Sequence, residues 1–187
     1  MEPSLGEFCG ATAQEVIEHY RKNDSFCGLK SFAYGINELL RQGGQLSPSQ
    51  AEAMRLLDVA ITEASVSNSD RVFFRGCSER DFRLCETDEG FLSSSFLSLN
   101  ANPLEAAFFA KNRDGGPSYL LAVRIPAGTR LLSISDDSAA SFDNDGWLCA
   151  RGLRFRTYPW DGTSGVSDDD IWSLHSKFRM PGTSAWS

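Results

Sequence analysis

The 187-residue chain lacks any apolar run near the ~20 residues a membrane-spanning helix needs, so no membrane partner is expected. It has only two histidines, His19 and His175, far apart in sequence. Its five cysteines (Cys9, Cys27, Cys77, Cys85 and Cys149) include no Cys-X-X-Cys pair. Such spacing supports neither a zinc site nor a disulfide framework, and reduced, buried thiols are expected instead. Net positive charge is also missing. Lys and Arg total 18 against 25 Asp and Glu, giving −7. An acidic surface repels phosphate backbones at long range, which argues against nucleic acid as a partner. The Met-Glu-Pro start has no basic stretch leading into an apolar one, so no classical secretory signal is expected. There is no repeat and no low-complexity tract. With 41% hydrophobic and 23% charged residues, the composition excludes a disordered, collagenous or coiled-coil chain.

The pattern that is present divides the chain. Residues 1–66 read as a helical region. Thr12 and Glu15 form a capping box ahead of a helix from Gln14 to Lys22 carrying Val16, Ile17 and Tyr20. Leu29, Phe32, Ala33, Ile36, Leu39 and Leu40 share a face of a second helix that Gly43-Gly44 ends. Ser47-Pro48-Ser49-Gln50 starts a third, with Met54, Leu57, Ile61 and Ala64 at helical spacing. These faces are expected to pack on the rest of a single structural domain.

Residues 67–160 read as a β-rich core. Arg71–Arg75 and Gly90–Phe96 are strand candidates, and Asn102-Pro103-Leu104-Glu105 opens a helix reaching Ala110. Ser118–Ile125 is a strongly apolar strand, turned by Pro126-Ala127-Gly128, with Arg130–Ile134 extended after it. Trp147–Cys149 and Leu153–Tyr158 read as a hairpin about Arg151-Gly152. Residues 161–187 form an irregular tail pinned by Ile171, Trp172, Leu174, Phe178 and Trp186.

Three features carry chemistry. In Phe73-Phe74-Arg75-Gly76 an arginine ends an apolar strand, where its guanidinium can fork onto a diphosphate or carboxylate. The glycine admits a flat ligand close to the backbone. In Gly90-Phe91-Leu92-Ser93-Ser94-Ser95, strand alternation would turn Ser93 and Ser95 to one side and Ser94 to the other. Buried hydroxyls need partners, and a carboxylate across a cleft is a natural one. Asp143-Asn144-Asp145-Gly146 places acids at a strand entrance. Each feature alone reads more readily as a strand end, a serine-rich edge or a polar turn.

In this order, however, they resemble the mono-ADP-ribosyltransferase superfamily, particularly its bacterial exoenzyme and effector type. The similarity takes in Ile36-Asn37-Glu38-Leu39-Leu40 and Leu56–Ile61 in the helical lead-in. It continues through Val72–Gly76, which looks like the first-strand arginine motif, and Gly90–Ser95, which looks like the aromatic-X-Ser-Thr-Ser strand with Ser94 in place of Thr. Ala106–Ala110, Tyr119–Thr129 with its Pro-X-Gly turn, and Leu148–Phe155 as a closing hairpin complete it.

The resemblance implies an α+β fold in which two small packed sheets form an NAD cleft, and transfer of ADP-ribose from NAD, used as co-substrate without a metal, to a protein side chain. It implies Arg75, Ser93 and Asp145 as catalytic residues. NAD would be bound by Arg75, Gly76, Phe91, Ser93 and Ser95: Arg75 on the pyrophosphate or its ribose, Gly76 on the carboxamide, Phe91 or a neighbouring aromatic on nicotinamide. Ser93 would orient the catalytic carboxylate and Ser95 would support the strand. The family places Glu/Gln-X-Glu just before the closing hairpin, and gapless alignment on Arg151-Gly152 puts Asn144 and Gly146 there. A one-residue slip gives Asp143-X-Asp145, with Asp145 stabilising the ribosyl cation and Asp143 positioning the acceptor, by analogy an arginine. A bacterial protein delivered into a host or target cell by a specialised secretion system is implied, with a chaperone or immunity protein as a further partner. The rival readings are a catalytically degenerate fold that binds a partner, and a Cys–His hydrolase using His175 with Cys77, Cys85 or Cys149.

Overall fold

Helix formation begins where side chains can satisfy free backbone amides. In the computed structural model, which describes residues 10–78, 82–83, 91–109, 118–135 and 146–155, Thr12 accepts from the Glu15 amide at 3.3 Å. The Glu15 carboxylate returns to the Thr12 amide at 2.7 Å, closing the predicted capping box at the head of α1 (Ala13–Lys22). These bonds hold the Glu15 carboxyl below the usual carboxylate range. Ser47 and Gln50 repeat the arrangement at α3 (Pro48–Glu63). Helix α2 (Phe32–Gln42) ends as expected on Gly43, whose φ of 64° is costly for any residue with a Cβ. Leu29 lies before α2, paired with Phe26 across a tight turn, rather than inside it.

The strands assemble two sheets, and every pairing among the described residues is antiparallel. β1 (Arg71–Ser78), β3 (Leu97–Asn100), β4 (Ser118–Ile125), β5 (Leu132–Ser133) and β6 (Gly146–Cys149) form a five-stranded sheet of order β4-β1-β3-β6-β5. β2 (Phe91–Leu92) and β7 (Arg154–Phe155) form a two-stranded one. A short α4 (Pro103–Phe109) joins β3 to β4 in sequence and packs on β1. The Asn102 side chain accepts from the Leu104 amide at its start, at 2.9 Å. The α+β class expected from the sequence is therefore the observed one.

The larger sheet separates two apolar cores. On one side Val16, Tyr20, Phe32, Ile36, Ala53, Leu57 and Ile61 of the three long helices bury Phe96 and Leu148. On the other side Phe73, Leu97, Leu99, Ile125, Leu131 and Cys149 pack together. Leu148 and Cys149 are successive residues of β6, so their side chains enter opposite cores.

Two expectations are corrected. Gly90–Phe96 is not one strand: pairing stops after Leu92, Ser93–Phe96 turns, and the chain re-enters a sheet at Leu97. Nor do β6 and β7 form a hairpin about Arg151-Gly152. β6 pairs with β3 and β5, whereas β7 pairs with β2. The chain changes sheets there, with Gly152 at φ 79°. Asp58 of α3 holds the turn by two bonds from the Arg151 guanidinium, Nη2 at 2.8 Å and Nε at 3.1 Å.

Candidate functional site

The expected arginine sits where two strands part. β1 and β3 are registered at Phe74 opposite Asn100. Arg75 follows, and its side chain reaches β3, donating Nη1 to the Ser98 carbonyl at 2.9 Å. A guanidinium offers five N–H donors, so this anchor fixes its position and leaves others for an anionic ligand. Gly76, opposite Leu120 in β4, continues the strand with no side chain. Alternation places Arg75 on the Phe73 face of β1.

The serine segment directly precedes β3, the strand whose Ser98 carbonyl holds Arg75. Ser93 is fully buried and Ser95 nearly so, while Ser94 is exposed. The expected alternation of facing holds, although the backbone is a turn and not a strand. The Ser93 hydroxyl donates to the Ser95 carbonyl at 2.6 Å, inside the segment, while the acids expected across the cleft lie outside the described residues. The Ser93 backbone is fastened to the sheet-changing turn, donating to Leu153 O at 2.9 Å and accepting from Gly152 N at 2.6 Å. A buried hydroxyl folded onto its own turn stiffens that turn and satisfies the polar atom at once.

A second layer, absent from the sequence expectations, supports this segment from the helices. Asn37 of α2 accepts from the Phe96 amide at 3.0 Å and donates Nδ2 to the Tyr20 hydroxyl at 2.7 Å. Tyr20 of α1 in turn hydrogen-bonds the Ser98 hydroxyl at 3.3 Å. Burial raises the Tyr20 pKa; the Ser98 and Asn37 bonds and the Arg75 charge oppose that rise. The signal for this layer was an asparagine at helical spacing among Ala33, Ile36 and Leu40, on an otherwise apolar face.

Cys149 lies within reach of the same positive charge, yet burial dominates and pushes its thiol up to about 12. That suits a packing residue and not a nucleophile, against the Cys–His hydrolase reading. Because the raised pKa favours the neutral thiol in the fold, its contribution is whole below the ordinary thiol value of ~8.5 and fades as pH climbs toward 12. At pH 8 the thiolate fraction is about one in ten thousand, against about a quarter for an ordinary cysteine. Native Cys149 should therefore react with iodoacetamide at least ~1000-fold more slowly than in urea, read by mass spectrometry of its peptide.

The acids expected at the site, Asp143 and Asp145, lie outside the described residues, as do Cys9, Cys85, His175 and the tail 161–187. The side chain of Phe91 is also outside them; its backbone pairs with Phe155. Gly146 is described. A Cβ built there would stand 3.1 Å from Ile134 Cγ1, so a side chain at this position meets the β5 end of the sheet. Among the described residues, no cluster of three or more His, Cys, Asp or Glu could hold a metal, and no helix is long and apolar enough to cross a membrane.

This architecture is a fold that bacterial ADP-ribosyltransferases share. Exoenzyme S from Pseudomonas aeruginosa, solved with human 14-3-3 protein beta and carba-NAD, superposes with a TM-score of 0.54 at 19% identity, over 89% of this chain and 91% of that one. Plx2a, an ADP-ribosyltransferase toxin from Paenibacillus larvae, gives 0.54 at 18% identity over 77% of this chain and 74% of its own. An ADP-ribosyltransferase from Clostridium botulinum gives 0.52 at 16%, over 76% and 75%. No protein-family model and no curated protein matches the sequence itself.

Proposed function

We propose that the protein transfers ADP-ribose from NAD to a side chain, by analogy an arginine, of a protein in a host or target cell. The observation that carries this reading is the Arg75 guanidinium, anchored on Ser98 O, three residues beyond the turn that buries Ser93 and Ser95, in a fold shared with an ADP-ribosyltransferase toxin. The carba-NAD held by exoenzyme S supports NAD as the co-substrate. In this reading Arg75 grips the pyrophosphate or its ribose. Gly76, Phe91 and Ser95 complete the dinucleotide site, and Ser93 orients the carboxylate.

The bond between ribose C1′ and the nicotinamide nitrogen breaks, its electron pair leaving with nicotinamide. Asp145 stabilises the resulting oxocarbenium-like sugar. Asp143 orients the acceptor, which bonds to C1′ and passes its proton to solvent. Delivery into the target cell by a specialised secretion system, and a chaperone or immunity partner, belong to the same reading. The toxins that share the fold support it, and exoenzyme S is itself held by another protein.

Gly146 favours a second reading, a fold that keeps its binding role but has lost turnover. It occupies the position where the family alignment calls for the catalytic glutamate, and a side chain there meets Ile134. Incubation with labelled NAD and a host-cell lysate separates the two. Transfer predicts a labelled protein band and free nicotinamide. Neither product, with NAD still bound, supports the degenerate fold.

A further inference from the structure

Asn37 ties α1 and α2 to the turn beside Arg75. Its carboxamide is used at both ends: Oδ1 takes the Phe96 amide at 3.0 Å, and Nδ2 donates to Tyr20 Oη at 2.7 Å. The same Tyr20 hydroxyl is hydrogen-bonded to Ser98 Oγ, 3.3 Å away. Two residues beyond Phe96, the same segment presents the Ser98 carbonyl to Arg75 Nη1. The order is continuous: helix amide, turn backbone, strand carbonyl, guanidinium. At its other end the turn is held by Gly152 and Leu153. These contacts hold the segment at both ends, and a Phe96 amide that lost its acceptor would favour a different local arrangement.

We propose that Asn37 is a positioning residue for dinucleotide binding: by fixing Phe96 and, through Tyr20, Ser98, it sets the place of the Arg75 guanidinium and of the Ser93–Ser95 turn. Asn37 acts through these groups and need not touch the dinucleotide. The inference rests on the reading of that site as an NAD site.

Asn37→Leu keeps the shape and removes both bonds; Asn37→Asp keeps an acceptor for Phe96; Tyr20→Phe removes only the link to Ser98. NAD affinity by titration calorimetry, melting temperature, and the NMR signals of the Phe96 amide and the Arg75 Nε–Hε group would be measured for each. Asn37→Leu should bind NAD about ten-fold more weakly, with faster Phe96 amide exchange and a shifted Arg75 signal. Asn37→Asp should restore most of the affinity and the Phe96 protection. Tyr20→Phe should shift the Arg75 signal with Phe96 protection retained.

Wild-type affinity and an unmoved Arg75 signal in folded Asn37→Leu protein overturn the proposal. Equal losses in Asn37→Leu and Asn37→Asp that merely follow melting temperature overturn it too. If Asn37→Leu fails to fold, Tyr20→Phe decides: an unmoved Arg75 signal there overturns it. If the unsubstituted protein binds no NAD, the functional reading fails, and the proposed control of Arg75 is judged by its NMR signal alone.

Discussion

Asp145→Asn should lower nicotinamide release from NAD by about 100- to 1000-fold while leaving NAD affinity within a few-fold of the unsubstituted protein. The reason lies in where charge develops. In the proposed mechanism the dinucleotide is recognised chiefly through its phosphates and carboxamide, by Arg75 and Gly76, and such contacts would be the same in ground and transition states. The ribosyl cation exists only near the transition state, and a carboxylate that meets it acts on the rate alone. Asparagine keeps the shape and loses the charge. An aspartate is one methylene shorter than the glutamate of the superfamily that the sequence resembles, so the proposed role requires a backbone closer to the ribose; misplacement of ~1 Å is enough to cost ~100-fold. Coupled measurement of released nicotinamide, with affinity read separately, checks the split. Unchanged release in Asp145→Asn would assign the cation's stabilisation to another group.

The second large effect is on stability. Phe96→Ala should destabilise the protein by about 3–5 kcal/mol and lower its melting temperature by roughly 6–20 °C. Phe96 is fully buried, and it meets Tyr20 edge-on with ring centroids 6.2 Å apart. It is the plug by which the Ser93–Ser98 segment enters the helical core, so removing the ring leaves a cavity under the site itself. Tyr34, 66% exposed, serves as the comparison: Tyr34→Ala should change stability by less than about 0.5 kcal/mol. Thermal denaturation followed by circular dichroism tests both. Equal shifts in the two variants would contradict the placement of Phe96.

What was legible in the sequence is what local chemistry decides. Thr12 with Glu15 and Ser47 with Gln50 close their boxes within three residues, so no distant contact could override them. Ser118–Ile125 was bounded correctly because an apolar run flanked by turn residues marks a strand. What failed was partner choice. Nothing within Leu148–Phe155 says that its two strands serve different sheets; that is fixed by β2 and β3, some fifty residues earlier. The serine run looked like a strand because alternation of burial survives in a turn that is pinned at both ends. Within the described residues the Ser93 hydroxyl is taken by the Ser95 carbonyl two residues on, a local bond that alternation alone does not foretell. Asn37 belongs to a stretch that carries the family resemblance, but its bond to Phe96 spans 59 positions and no pattern of spacing encodes it.

One physical claim underlies the rest, that the guanidinium held on Ser98 is a grip for a dinucleotide. Titration calorimetry of NAD into the unsubstituted protein, run beside Arg75→Lys, tests it most directly. A lysine point charge cannot reproduce the guanidinium fork on both a carbonyl and a phosphate. A saturable heat in the first case and at least ten-fold weaker binding in the second is the predicted result. No heat from the unsubstituted protein, or equal affinity in both, would contradict it.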